Sequence, residues 1–202
     1  MSTTTATLEV DGRKVEIRLP TFLDVERHTD TGAPEIDAAA WVYDLVHSID
    51  GAAPPPVDEM DADILSAVSI VVQAQFLPTE EAIDLAAGTV ARLGSINVVR
   101  VGGDGSADNP GTEVKFRTPT VAMWKQAKAL AKGNAQAEEC ILTRLATIEV
   151  GGVAVSMLTH RGHSWPLPIT ESWILMRIVQ RRVRPTMEVL GNAKRSLTVT
   201  VT

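Results

Sequence analysis

The chain predicts an α+β fold made of two copies of one unit, and three observations carry that prediction. A strand-like run closes on Arg18-Leu19-Pro20-Thr21, and another closes on Arg117-Thr118-Pro119-Thr120, 99 positions later. At the same offset Val15 falls on Val114, Ile17 on Phe116, Phe22 on Val121, Val25 on Trp124, Val42 on Ile141, Val46 on Leu145 and Ile49 on Ile148. Each copy begins with polar–apolar alternation, the period of a strand, and continues with apolar residues at i, i+3 and i+4, the period of a helix. The first unit is expected over residues 1–94 and the second over 95–202. Each is a β-hairpin followed by short helices packed on a small antiparallel sheet, because a lone hairpin is only marginally stable in water.

The elements follow in order. Leu8 and Val10, then Val15, Ile17 and Leu19, alternate around Asp11-Gly12, a dipeptide that accepts the positive φ angles of a tight hairpin turn. Pro20 has no N–H to give a ladder and ends the second strand. Thr21 and Asp24 are spaced as a capping pair for a short helix through His28. Ile36 to Ile49 has the helical stripe Trp41, Val42, Leu45, Val46 and Ile49, and Asp50-Gly51 and Pro54 to Pro56 stop it. A third helix is expected from about Asp61 to Phe76, and a fourth from Pro78-Thr79 through Ile83, Ala87, Val90 and Ala91 to Gly94.

The second unit opens with the strand Ile96 to Val101, a glycine-rich tip over Gly102 to Gly111, and a strand from Glu113 to Phe116. A helix after Pro119-Thr120 is expected to carry Val121, Trp124 and Ala127 on one side and Lys125, Lys128 and Lys132 on the other. Ala135 to Ile148 is the counterpart of Ile36 to Ile49. The copies then diverge: 148–155 predicts a small hairpin about Gly151-Gly152, and Thr159 to Pro168 is an inserted polar loop. A last long helix, Thr170 to about Arg182, matches the Ile64 helix at an offset of 110, and Leu197 to Val201 alternates as a closing strand.

The 45% hydrophobic and 22% charged composition is that of an ordinary globular protein. The longest purely apolar run falls far short of a bilayer span. Residues 1–6 lack the basic-then-apolar order of a signal peptide, and Cys140, the one cysteine, has no partner for a disulfide, so a cytoplasmic protein is expected. The net charge of −6 is unevenly spread, −13 over residues 1–90 and +7 over 91–202. Opposite fields on two halves favour self-association through the acidic and basic ends.

No constellation of residues supports catalysis, and no enzyme, cofactor or metal is expected. Nucleophilic chemistry needs a base held by an orienting group, and Cys140 lies in a helical apolar stripe instead. His160 and His163 have metal-like spacing, but their loop offers no third ligand, so it leaves open whether they bind metal. The Gly102–Gly111 segment has neither the Gly-Lys-Ser/Thr of a phosphate loop nor the alternating acids of a calcium loop. Four residues are candidates for partner binding. Trp165 is an aromatic in a polar loop, either a contact point or a cover for the last helix. Arg177, Arg181 and Arg184 share a helical face suited to an acidic protein surface, the chain's own first unit included. Nucleic acid is not expected, for no aromatics are interleaved with these arginines.

With the repeat laid out, the chain resembles the tail assembly chaperones of bacteriophages, including the baseplate hub assembly chaperones of contractile tails. The resemblance rests on a strand, the phrase Arg-x-Pro-Thr and an amphipathic helix, at Val15–Glu26 and again at Val114–Lys125. The short apolar helices Trp41–Ile49 and Ile64–Val72 agree with it. Some hub-chaperone relatives carry paired cysteines, and this chain has none. The resemblance implies a cytoplasmic, non-enzymatic protein that binds a tail component, such as the tape measure or a hub protein, during virion assembly. It transfers no site residues. The other expectation is a permanent structural subunit of a tail, baseplate or contractile injection machine.

Overall fold

Two separate antiparallel sheets organise the chain, so the two hairpins do not merge into one. The computed structural model describes residues 5–22, 24–25, 38–103, 106–155 and 165–183. The first sheet holds β1 (Thr5–Val10), β2 (Arg13–Arg18) and β3 (Val46–Ile49), in that order. The second holds β4 (Ala91–Leu93), β5 (Ile96–Val101), β6 (Thr112–Arg117), β7 (Thr147–Val150) and β8 (Val153–Ala154), again in sequence order. The named helices among the described residues are α1 (Ala38–Tyr43), α2 (Ala62–Phe76), α3 (Glu80–Gly88), α4 (Val121–Ala131), α5 (Ala135–Ala146) and α6 (Ile169–Val183). The fold is α+β, as the sequence predicts.

The first hairpin closes as expected, Val10 opposite Arg13, with Asp11 and Gly12 at φ 51° and 77°. The helix expected over Ile36–Ile49 does not run its length. It stops at Tyr43, and Val46–Ile49 becomes β3, antiparallel to β2. Its counterpart stops at Ala146, and Thr147–Val150 becomes β7 on β6. Leu45, Val46 and Ile49 satisfy a helical stripe, but Val46 and Ile49 also pair with Ile17 and Val15 and so fall on one side of a short buried strand. The open edge of β2, with its row of unpaired amides, decides between the two.

The third strands make the duplication plainer than the sequence does. The β2–β3 ladder shifts register between Glu16 and Ile17, and the β6–β7 ladder between Lys115 and Phe116, 99 residues on. The Asp50 N–H donates to Lys14 O at 2.7 Å, and the Gly151 N–H to Glu113 O at 2.8 Å. The Ser48 hydroxyl donates to Glu16 across one sheet, and Lys115 Nζ donates to Glu149 across the other at the same place. The 148–155 hairpin has a rudiment in the first copy, a bridge between Ile49 and Ala52. The copies therefore stay in step beyond the point where divergence was expected. The offset grows from 99 at the hairpins to 101 at the third strands.

At the long helices the bounds place α6 107 residues after α2, not 110. At that offset Val68 and Val72 correspond to Leu175 and Val179, all fully buried. A three-residue slip keeps a helical stripe nearly on its own face, so apolarity alone could not distinguish the two. The helices are also equivalent in packing: α2 lies on α1 and β1, and α6 on α5 and β5.

The helix expected to run through Val90 and Ala91 ends at Gly88, and Ala91–Leu93 is β4, hydrogen-bonded to β5. The 94/95 boundary thus falls in the turn of a hairpin. The α3 helix packs on α6 and β5 of the second unit. Two apolar cores result. One is built on Val15, Ile17, Leu45, Ile64, Val68 and Val72, and the other on Val99, Val114, Phe116, Leu145, Leu175 and Val179. Phe22, Val25 and Ile83 of the first unit are buried in the second core, and Trp41 and Phe76 touch both. Residues 62–88 have the length and apolarity of a membrane span, but the extended backbone at Leu77 breaks them into α2 and α3.

A candidate protein-binding site

The repeated phrase is a structural joint in both copies. Pro20 follows the end of β2, and the Asp24 carboxylate accepts the Thr21 N–H at 2.7 Å, the Thr21 hydroxyl at 2.8 Å and Arg18 Nη1 at 2.7 Å. Arg18 Nε also donates to the Asp44 carbonyl, tying the joint to the chain entering β3. Burial raises the Asp24 pKa, but the Arg18 and Thr21 hydrogen bonds and the Arg18 charge outweigh it and hold the carboxyl below its ordinary value. In the second copy Thr120 caps α4 through its hydroxyl, which accepts the Met123 N–H. These residues fasten strand to helix.

The predicted contact residues go to different places. Trp165 is not exposed: only 8% of it reaches solvent. Its ring lies 5.2 Å from that of Phe22, its Nε1 donates to Ser172 Oγ at 2.8 Å, and the Arg144 guanidinium sits 4.8 Å above it. Of the two readings of Trp165, contact point or cover for the last helix, its burial and its bond to Ser172 on α6 agree with the second. A cation–π contact from buried Arg144 and a hydroxyl partner for the indole make burial the favourable state. Arg181 is engaged within the chain, bridging from α6 to Glu80 (2.9 Å) and to Asp84 on α3. Acidic first unit and basic second unit do meet, inside one molecule. Arg177 is exposed on α6 and donates to Gln180, whereas Arg184 lies outside the described residues. So do His28, His160, His163, most of the 159–168 loop and the Leu197–Val201 strand. Cys140 is buried in the second core and His47 is exposed on β3.

Charge patterning did not point to the open apolar groove beside α3. A groove of about 1000 Å³ runs between α3, the strands β4 and β5, and the base of the glycine-rich tip. Leu85 of α3, 73% exposed, forms one wall with Ala82 and Ala86, while Ala91, Val98 and Pro110 form the other. The tip is pinned where Gly103 and Gly111 cross. A Cβ on Gly111 would stand 2.2 Å from the Gly102 carbonyl, so only glycine permits the crossing. Glu171 of α6 packs against Gly102 from below. Beside the groove, β4 is an edge strand of three exposed residues, and Leu93 is 65% exposed. Among the described residues no strand pairs with its outer edge. The signal for this site was in the sequence, as apolar Leu85 on the face of α3 away from buried Ile83. It was hidden while 80–93 was read as one continuous helix.

Among the described residues no group of three or more histidine, cysteine or carboxylate side chains could hold a metal ion. No protein-family model matches the chain, and neither a curated protein nor a solved structure is significantly similar to it.

Proposed function

We propose that the protein is a non-enzymatic assembly factor of a phage tail or baseplate, a chaperone that holds an apolar segment of a tail component. The tape measure or a hub protein is the expected partner. The reading is carried by the open groove at Leu85 and Ala86 beside the free edge of β4. An extended segment added to β4 would satisfy the edge amides and lay alternate side chains into the groove, the geometry of strand addition. The repeated Arg-x-Pro-Thr joint is the feature shared with the tail assembly chaperones.

The test is co-expression with a tape-measure or hub protein. The partner is expected to be soluble and co-purify with this chain, and Leu85→Glu is expected to abolish both while leaving the thermal midpoint of the chain unchanged. Leu85 is 73% exposed, so a loss of folding is not expected. Partner solubility that does not depend on this chain would sink the reading. A permanent tail subunit is the second reading, favoured by the unequal way the two units meet, with Phe22 buried against Trp165 and its counterpart Val121 68% exposed. Presence in purified particles, against absence, separates the two.

A further inference from the structure

The groove beside α3 has a second strand edge, and it belongs to β5. In an antiparallel sheet each residue turns its N–H and C=O to one side, and successive residues alternate. The Gly151 N–H donates to Glu113 O, so Glu113 points its backbone groups toward β7. Its partner Arg100 on β5 therefore points its own away from β6, toward the side where β4 lies. The same alternation aims Val98 and Ile96 at that side, where Ala91 and Leu93 of β4 stand opposite them. There the ladder ends, because the chain before Ala91 leaves the sheet for α3. Among the described residues nothing pairs with the N–H or the C=O of Arg100.

The place of the missing pair is open. Val99, Arg100 and Gly102 line one wall of the groove, Ala86 and Thr89 line the other, and Ile174 of α6 reaches it too. A strand laid there runs in line with β4 and antiparallel to β5. Its residue opposite Arg100 takes both backbone bonds. The residues on either side, opposite Val101 and Val99, turn their side chains to the inner face of the sheet, where α6 packs on β5.

The α6 helix gives those two positions different chemistry. Ile174 offers apolar contact. Glu171, one turn earlier, stands against Gly102, with Oε1 2.7 Å from where a Cβ on that glycine would lie. Its other oxygen, Oε2, is buried and has no hydrogen-bond partner among the described residues. A donor on an incoming segment removes the penalty of that unpaired acceptor, and a basic donor also matches its charge. Gly102 adjoins Val101, so the position opposite Val101 is the one beside Glu171. In an antiparallel pairing that position comes two residues before the one opposite Val99.

We propose that the groove takes an extended segment of a partner protein in which a basic residue stands two places before an apolar one. The basic side chain meets Glu171, the apolar one meets Ile174, and the residue between them exchanges both backbone bonds with Arg100. This rests on the groove being a protein-binding site, and it places the pairing on β5 instead of the outer edge of β4.

Amide exchange read residue by residue by NMR on the full chain tests it. The probes are the capped peptide Ser-Thr-Lys-Thr-Val-Ser and its twin with Glu in place of Lys. The Lys peptide, at millimolar concentration, is expected to slow exchange at Arg100 roughly tenfold or more. Arg92, whose backbone groups face the outer edge of β4, is expected to be unchanged. The Lys peptide is expected to bind about tenfold more tightly than its twin, and Glu171→Gln to erase most of that preference. Protection at Arg92 in place of Arg100 overturns the proposal and leaves strand addition to β4 standing. A preference that survives Glu171→Gln overturns it too, while loss of binding in Leu85→Glu would still place the peptide in the groove. Binding of neither peptide overturns it, and the chaperone reading is then judged by co-expression alone. An Arg100 amide already slow in the free chain also overturns it, by showing that the chain fills the place itself. The amide readout uses the wild-type chain and does not depend on the folding of a variant.

Discussion

At the residue scale, Asp24 is the side chain on which one joint turns. Its side chain is 4% exposed and accepts hydrogen bonds from Thr21 and from Arg18, whose own side chain is 25% exposed. Arg18→Leu removes one charged hydrogen-bond partner of that buried carboxylate and is expected to cost about 1.5–3 kcal/mol, read as a lower urea midpoint. The folded-state pKa of Asp24 lies below the ordinary 3.8. The stabilisation is therefore complete above 3.8 and is lost as pH falls through the lower, folded value. Asp24→Asn is expected to flatten the dependence of the thermal midpoint on pH below 3.8. An Asn variant with the wild-type slope would move the acid sensitivity elsewhere. The pairing of Thr21 with Asp24 was legible in the sequence, because capping is local and its spacing is fixed. The burial of Trp165 was one of two readings, and the sequence could not choose between them. It depends on Phe22 and Arg144, far away in sequence, and local polarity carries no trace of them.

At the element scale, the hairpins were legible and the third strands were not. The dipeptide Asp-Gly occurs at 11–12 and again at 50–51, and both copies adopt the same turn, with φ near 51° and then 77–79°. Flanking alternation identified the first. The second followed a helical stripe, where it passed for a helix stop. Turn chemistry thus outweighed periodicity, since two successive positive φ angles at Asp-Gly suit the two-residue turn of a hairpin. Gly51 has open space where a Cβ would stand, so Gly51→Ala tests the backbone term alone. It is expected to cost about 1 kcal/mol, with an unchanged dependence on urea, and Gly51→Asn less. An alanine variant as stable as the wild type would show that the turn does not hold β3 in register. The groove was illegible for a related reason. Leu85 reads as a stray apolar residue until β4 turns away from α3 and opens the wall behind it.

At the scale of the whole molecule, duplication explains the layout but not the independence of its parts. The sequence repeat is strongest at the hairpins and suggests two units divided at 94/95. In space β4 belongs to the second sheet and α3 packs on β5 and α6, and Phe22, Val25 and Ile83 are each 2% exposed within the second core. Residues 95–202 alone would lose all three side chains and the strand that covers β5. An apolar side chain of this size contributes about 1.5–3 kcal/mol when buried, so the three together approach the stability of a small domain. Residues 95–202 expressed alone are expected to lack a cooperative thermal transition and to bind a dye specific for exposed apolar surface. Co-expression of 1–94 with 95–202, cut in the exposed turn at Gly94-Ser95, is expected to restore the fold and a 1:1 complex. Two halves that each melt cooperatively alone would show that the interlocking of α3 and β4 with the second unit adds little. Loss of the transition in 95–202 with recovery in the pair would show that the units are joined by exchange of structure as well as by the chain.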